Sequence, residues 1–99
     1  MDKEKREMIK YYIYENIKIL ENRKALREDK KIASLLIREE IDALINRYQK
    51  AEETKAGDLA DLKQDFKEIT AMLKSYLDKL QPKTDVEIYK VYRDILFII

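Results

Sequence analysis

Between Leu59 and Leu80, apolar residues recur at alternating intervals of three and four positions. They are Leu59, Leu62, Phe66, Ile69, Leu73, Tyr76 and Leu80. On an α-helix this spacing places the apolar side chains along one face, and polar residues fill nearly all the other positions. A helix of this kind is marginal by itself in water, so another helix must cover its apolar face. The stretch therefore predicts a packed all-α structure.

The charge content narrows the class of protein further. Charged residues are 41% of the 99 residues and hydrophobic residues 45%, a mixture that suits slim amphipathic helices with solvated outer faces. Lys and Arg number 21 against 20 Asp and Glu, so the net charge of +1 gives no global attraction to nucleic acid or to an anionic membrane. The length is that of one small domain, and we expect residues 1–99 to form a single helical domain.

The chain contains no Cys and no His. Disulfide bonds and the usual zinc-ligand sets are therefore excluded. The first residues lack the apolar run of a signal peptide, and no window approaches the roughly 20 apolar residues of a membrane span. We expect a cytoplasmic protein with no transmembrane segment.

Glycine and proline are scarce and mark two of the helix boundaries. Gly57 is predicted to end one helix as a left-handed cap, and Asp58 to begin the next as its N-cap. Pro82 closes the helix that carries the regular apolar face. Thr84 to Glu87 match the capping-box pattern, which predicts Thr84 as the N-cap of a last helix.

The boundary within the first half of the chain is weaker. Two further amphipathic faces are separated by an almost wholly polar segment, residues 21–31. We predict a turn near residues 27–30 with Asp29 as the N-cap, and the alternative is one continuous helix from about residue 3 to 55. The predicted architecture is a four-helix up-and-down bundle, with a dimer of helical hairpins as the alternative. The predicted helices cover about 3–26, 30–55, 58–80 and 85–97.

The last predicted helix is apolar on more than one side and is the first candidate for a binding surface. Such a helix is either buried in its own core or covered by a partner, since large exposed apolar patches usually mark contacts. Tyrosine adds a second signal, because it is enriched at binding hot spots and occurs twice as an i, i+3 pair. The predicted partner-binding residues are Tyr11, Tyr14, Tyr89, Tyr92, Ile95, Phe97 and Ile99.

A basic stretch across residues 18–38 is the second candidate. Its cations are Lys18, Arg23, Lys24, Arg27, Lys30, Lys31 and Arg38. Cations of this kind supply affinity for nucleic acid through phosphate contacts. Acidic residues are interleaved among them, which favours a solvated face with ion pairs. A small nucleic-acid-binding regulator is therefore the alternative function.

Two groups of carboxylates are candidates for a hard-cation site. They are Glu39, Glu40 and Asp42, and Asp58, Asp61 and Asp65. Both groups lie off the predicted apolar faces, so we expect them to be solvated and predict no metal and no cofactor. The chain has no His base, no Cys nucleophile and no glycine-rich phosphate loop, and we expect no enzymatic activity.

Two resemblances bear on function. The residues Glu40-Ile41-Asp42, followed by Leu44-Ile45-Asn46 and Tyr48-Gln49, resemble the second helix of the small sporulation-control aspartyl-phosphate phosphatases. The signature of that family is Ser-Gln-Glu-Leu-Asp, and here Arg38 and Glu39 replace its Ser and Gln. This resemblance implies a phosphatase-like regulator that depends on Glu40 and Asp42.

The length, the charged four-helix pattern and the ending are similar to the bacteriocin immunity proteins of Gram-positive bacteria. The ending is Leu80-Gln81-Pro82, followed by Ile88-Tyr89-Lys90. This resemblance implies a small cytosolic helical bundle that protects a producing cell from its own toxin. The predicted function is accordingly non-enzymatic protein–protein interaction, by a regulator, an inhibitor or an immunity-type protein, with a protein partner or a second copy of the chain.

Overall fold

The computed structural model describes residues 2–55 and 57–99, and these residues form a bundle of four α-helices. The helices are α1 (Lys3–Glu21), α2 (Arg27–Thr54), α3 (Leu59–Lys79) and α4 (Val86–Ile98). No strand occurs in the described ranges. The predicted all-α, four-helix architecture is therefore confirmed.

The two longest helices, α2 and α3, form the centre of the bundle. α1 packs against both of them, as does α4, while α1 and α4 do not touch each other within the described residues. Arg6 pairs with Asp65 and Glu21 with Lys79, so α1 and α3 run in the same direction, as an up-and-down topology requires. The bundle measures 44 × 25 × 17 Å, and its length is set by α2, which spans about 42 Å at 1.5 Å per residue.

The core follows the apolar spacing of the helices. The regular face of α3 is buried at Leu62, Phe66, Ile69, Leu73 and Tyr76. The α2 face opposite contributes Ala33, Ile37, Ile41, Leu44, Tyr48 and Ala51. The Tyr48 and Phe66 rings meet edge to face with their centroids 5.6 Å apart. Such aromatic pairs add to the free energy gained by burial alone.

The turn between α1 and α2 lies earlier than predicted. α1 ends at Glu21, and residues 22–26 form the connection, so the alternative of one continuous helix is wrong. Asn22 leaves the helical conformation, and its side-chain oxygen accepts a hydrogen bond from the Lys24 N–H. This local bond competes with helix continuation, as is typical of asparagine. Asp29, predicted as the N-cap, lies instead in the first turn of α2, and Leu26 occupies the N-cap position.

The turn between α2 and α3 differs from its prediction as well. Lys55, not Gly57, adopts the left-handed conformation, with φ at 53°. Its N–H reaches the carbonyls of Ala51 and Glu52, which completes the last turn of α2. Asp58 does occupy the N-cap position of α3, but its carboxylate binds the Arg47 guanidinium at 3.0 Å instead of the helix N–H groups.

The N-cap of α4 is Asp85, one residue after the predicted Thr84. The Asp85 carboxylate accepts a hydrogen bond from the Ile88 N–H at 3.2 Å. Glu87 lies in the first turn of the helix, where its negative charge faces the positive end of the helix dipole. The capping-box register predicted from Thr84 is therefore wrong by one residue.

Candidate functional site

The exposed apolar surface of α4 is the strongest candidate for a binding site. We call it the outer face of α4 and define it as Val86, Tyr89, Leu96, Phe97 and Ile99, all of which are exposed. Phe97 has the highest exposure of any large apolar side chain in the described ranges, at 83%. Single exposed apolar residues are ordinary, but a group of this size on one short helix is typical of a contact surface.

The outer face exists because α4 has more apolar residues than the core can take. Ile88, Val91 and Ile95 recur at intervals of three and four and are buried against α2 and α3. The remaining apolar positions of the 13-residue helix point elsewhere because a helix presents successive residues about 100° apart. A helix that is apolar on two sides is stable when both sides are covered.

Two polar contacts fix the beginning of α4. The Tyr76 hydroxyl donates to the Asp85 carboxylate at 2.7 Å, and Arg38 pairs with Glu87 at 2.8 Å. Burial, and then the hydrogen bond to Asp85, raise the pKa of the Tyr76 hydroxyl above its ordinary value. Tyr76 thus links the end of α3 to the N-cap of α4 and sets the angle at which the outer face is presented.

Five of the predicted partner-binding residues lie in α4 or at its end, and their exposures differ. Tyr89, Phe97 and Ile99 are on the outer face, whereas Tyr92 is half-buried and packs against the core. The Tyr92 ring lies 6.4 Å from the Tyr89 ring between centroids, tilted by 43°. The other member of the predicted set in this helix, Ile95, is fully buried and belongs to the core instead of the surface.

A groove of about 440 Å³ lies beside α4, between its tyrosines and the end of α3. Tyr89 and Tyr92 line one side of it, and Leu77 lines the other together with polar residues of α3. An aromatic or aliphatic side chain from a partner is the kind of group that such a groove accepts.

Tyr11 and Tyr14 lie on α1, away from the outer face of α4. Both are exposed, and the amino group of Lys18 stands 4.6 Å from the centre of the Tyr14 ring. A hydrogen bond with the neighbouring Glu15 carboxylate raises the pKa of the Tyr11 hydroxyl. Since α1 and α4 have no mutual contact in the described part of the chain, the predicted tyrosine set divides into two separate surfaces.

The basic stretch is brought together only in part. Arg27, Lys30, Lys31 and Arg38 line a cleft at the end of the bundle where α2 begins. Lys18 is turned away toward Glu15 at 3.7 Å. The two remaining cations, Arg23 and Lys24, lie in the exposed connection before α2.

The candidate carboxylates do not gather into a metal-binding group in the described part of the chain. Among residues 2–55 and 57–99, no three carboxylates lie close enough together to hold a metal ion. Within the segment that resembles the phosphatases, Glu40 is half-buried and Asp42 exposed on α2. The expectation that all six acidic candidates are solvated is wrong for Asp65, whose side chain is only 7% exposed.

Asp65 is the centre of a buried ion cluster that the sequence analysis missed. Its carboxylate lies 2.9 Å from the Arg6 guanidinium and 2.9 Å from the Lys10 ammonium. Burial lowers the pKa of Lys10, but hydrogen bonds to three surrounding carboxylates outweigh that effect and hold the pKa above its ordinary value. The cluster joins α1 to α3.

A signal for this cluster was present in the sequence. Arg6 and Lys10 continue the apolar face of α1 backwards, because they precede Ile13 at intervals of four and three. Asp65 likewise lies three residues after Leu62 and four before Ile69. Charged residues at core-facing positions on two helices would have predicted an ion pair between them.

No helix within the described ranges is long and apolar enough to cross a membrane. Comparison of the chain with protein-family models, with curated proteins and with solved structures gave no match. The candidate site therefore stands on the geometry of the outer face of α4 alone.

Proposed function

We propose that this protein acts by protein–protein interaction through the outer face of α4, and that the partner at this face is a second copy of the chain. The observation that carries the proposal is the 83% exposure of Phe97 beside other exposed apolar residues on a helix whose opposite side is fully buried. Covering such a face gains about 25 cal/mol for each Å² of apolar surface removed from water.

The shape of the outer face suits a second copy of the chain as its partner. The outer face carries a projecting aromatic residue, Phe97, and at Tyr89 it borders the groove that Tyr89 and Tyr92 line. Phe97 follows Tyr89 by eight residues, a rise of about 12 Å along the helix. If two α4 helices pack in antiparallel orientation about the point midway between Tyr92 and Arg93, Phe97 of each copy lies within one residue, about 1.5 Å of rise, of the level of Tyr89 of the other. A surface that contains both halves of a contact suits a two-fold symmetric dimer.

The charges of Lys90 and Asp94 favour the same arrangement, although the exposed Arg93 of each copy lies near that of the other at the centre. Lys90 and Asp94 are exposed and lie two residues to either side of Tyr92, the middle residue of α4. In the same antiparallel pair, Lys90 of each copy lies within one residue, about 1.5 Å of rise, of the level of Asp94 of the other, so two ion pairs form at the edge of the contact. Pairs of this kind fix orientation more than they add affinity.

The proposed interface is small. A face one helix wide and about 20 Å long lies below the area of most stable interfaces. We therefore expect a dissociation constant in the micromolar range, on the order of 1 to 100 μM.

The proposed role is non-enzymatic and cytoplasmic. Regulation, inhibition and immunity are the kinds of role that a small interacting bundle suits, and the chain lacks His and Cys, the residues most often used as catalytic base and nucleophile. In such a role the dimer is the form that presents its assembled surface to a further partner.

Charge reversal at Lys90 and Asp94 tests the proposed orientation. Lys90→Glu turns both ion pairs into repulsions and is expected to weaken the dimer about tenfold, or about 1.4 kcal/mol. Lys90→Glu/Asp94→Lys restores opposite charges across the symmetry axis and is expected to recover the wild-type dissociation constant. The measurement is sedimentation equilibrium at low salt, with thermal unfolding as the folding control.

A double variant that is no better than Lys90→Glu would contradict the antiparallel arrangement. A wild-type protein that stays monomeric at millimolar concentration would contradict the proposed self-association itself.

A further inference from the structure

The cleft at the end of the bundle has no part in the proposed self-association. It has a volume of about 570 Å³, within the usual range for small-molecule sites. Its walls come from the end of α1, the first turns of α2, the end of α3 and the beginning of α4. We call it the basic cleft, because four cations and two carboxylates line it, a net charge of four minus two, or +2.

The two carboxylates of the basic cleft are already engaged within the protein. Asp85 accepts hydrogen bonds from the Tyr76 hydroxyl and from the Ile88 N–H, and Glu87 is paired with Arg38. The charge of Glu87 is therefore balanced by Arg38, whereas Asp85 keeps its negative charge and is stabilised by neutral donors of the fold. A ligand in the cleft therefore contacts carboxylates that are already hydrogen-bonded or paired, together with the remaining cations.

Three of the lining cations remain available. Arg27, Lys30 and Lys31 have no ion-pair partner among the described residues, and all three lie in the first two turns of α2. Their backbone lies near the positive end of the α2 dipole, which adds to the attraction for an anion. The acidic neighbours Glu28 and Asp29 are in the same turns but do not line the cleft.

The floor of the basic cleft is apolar. Leu20 and Tyr76 are almost fully buried there, while Leu80 and Leu35 line it with part or much of their side chains exposed. Apolar floors with a few polar groups at the rim are the common design of sites for small organic molecules. Arg and Lys at the rim match the oxygen atoms of a phosphate or a carboxylate.

We propose that the basic cleft binds a small organic anion, with its phosphate or carboxylate group held by Arg27, Lys30 and Lys31 and its apolar body against Leu20, Leu35 and Leu80. Binding of this kind would connect the beginning of α2 to the ends of α1 and α3 through one ligand.

The test uses 1-naphthyl phosphate and 1-naphthoate as probes, measured by isothermal titration calorimetry with the full chain. Ligands of this size are expected to bind with a Kd on the order of 0.1 to 1 mM. Inorganic phosphate and 1-naphthol carry the two halves of the probe separately, and each is expected to bind at least about tenfold more weakly. Whichever naphthyl anion binds more tightly identifies the preferred head group.

Two variants locate the binding. Lys30→Gln/Lys31→Gln is expected to weaken binding at least fivefold, about 1 kcal/mol, and Ser34→Phe is expected to block it by filling the cleft without removing a charge. The matched control is Lys63→Gln/Lys67→Gln, which removes two exposed lysines from α3 and is expected to leave the Kd unchanged. Phe97→Glu is expected to retain binding, which separates this site from the outer face of α4.

Three results would overturn the proposal. The first is that neither naphthyl anion gives a heat of binding at about 10 mM, which means a binding free energy weaker than about 3 kcal/mol. The second is that the cleft variants and the control lose probe binding equally. The third is that micromolar duplex DNA displaces the probe. The last result would assign the cations to nucleic acid instead of a small ligand.

Discussion

The two outer helices of the bundle, α1 and α4, both pack against α2 and α3 but are held in different ways. α1 is joined to α3 by the buried cluster of Arg6, Lys10 and Asp65. α4 is held by Ile88, Val91 and Ile95, with polar contacts only near its beginning. The charges of α1 specify its register against α3, because a carboxylate in the core is stable only opposite its cations.

The difference also appears on the outer surfaces of the two helices. The exposed tyrosines of α1 lie among charged neighbours, such as Lys18 over the ring of Tyr14. The outer face of α4 has five exposed apolar side chains beside the exposed charges of Lys90 and Arg93, and Phe97 is almost completely exposed. α1 exposes five large apolar side chains of its own, namely Met8, Tyr11, Tyr12, Tyr14 and Ile19. Three of these are tyrosines with a polar hydroxyl, whereas the outer face of α4 combines Phe97 with three aliphatic side chains and gains more free energy when it is covered.

The largest expected effect is at the ion cluster of α1. Asp65→Ala leaves Arg6 and Lys10 buried without their central carboxylate and is expected to lower the free energy of unfolding by about 3 to 5 kcal/mol. Asp78→Ala, which removes an exposed carboxylate paired with Lys74, is the matched control and is expected to cost about 0.5 kcal/mol or less. Urea denaturation measures both, and equal small losses would show that charge does not hold α1.

Shortening a side chain should have a large effect on stability on the buried side of α4 and a small effect on its outer face. Ile95→Ala removes a fully buried side chain and is expected to cost about 2 to 5 kcal/mol. Phe97→Ala removes an exposed one and is expected to change the stability of the dilute monomer by no more than about 0.5 kcal/mol. Chemical denaturation at low protein concentration measures the pair. A large loss from Phe97→Ala would show that this ring packs inside its own chain.

The hydrogen bond between Tyr76 and Asp85 should make the stability of the fold at α4 depend on pH in the alkaline range. The pKa of Tyr76 is raised in the folded state, so its contribution to stability is full below the unfolded pKa of about 10 and is lost as pH rises above it. Tyr76→Phe removes this hydrogen bond to a carboxylate and is expected to cost about 1.5 to 3 kcal/mol at neutral pH. It should also make the fall in melting temperature above about pH 10 shallower than in the wild type.

Lys10 supplies the comparison on α1. Its pKa is also raised, so its contribution is full below the unfolded pKa of about 10.4 and declines as pH rises beyond that value. The Tyr76→Phe variant keeps this decline. Melting temperatures of wild type and variant between neutral and strongly alkaline pH separate the contributions of Tyr76 and Lys10. The same pH dependence of melting temperature in both proteins would contradict the role given to Tyr76.

The smallest expected effect is at the exposed pair of α4. Glu87→Gln breaks the ion pair with Arg38, in which both side chains are substantially exposed, and is expected to cost no more than about 0.5 kcal/mol. Added salt should remove even this difference. A cost as large as that of Asp65→Ala would mean that α4, like α1, is held by charge.

The four helices and most of the core could be predicted from sequence because apolar spacing determines which face of a helix is buried. The regular interval in α3 placed Leu62, Phe66 and Ile69 in the core, and the structure buries all three completely. Ile95 was assigned to the surface incorrectly because it lies on a helix that is apolar on more than one side. A helix with apolar residues on both sides does not reveal from spacing alone which side faces inward.

The helix ends were harder to predict because neighbouring residues compete for the same role. Thr84 and Asp85 are both good N-caps, and Asp85 has the additional hydrogen bond from Tyr76, which only the tertiary structure supplies. Gly57 was the natural choice for a left-handed residue, yet Lys55 adopts that conformation two residues earlier. The grouping of Arg27, Lys30 and Lys31 around the basic cleft also depends on α1, α3 and α4, which the local sequence does not encode.

The most direct test of the central claim, self-association through the outer face of α4, is molar mass by light scattering across a concentration series. The wild type is compared with Phe97→Glu and with Met8→Glu, which places the same charge on an exposed apolar position of α1. We predict that the wild-type mass rises with concentration from 11.9 kDa toward twice that value, that Met8→Glu behaves alike, and that Phe97→Glu stays monomeric. A wild type that remains at the monomer mass, or a dimer that Met8→Glu dissociates and Phe97→Glu does not, would contradict the account.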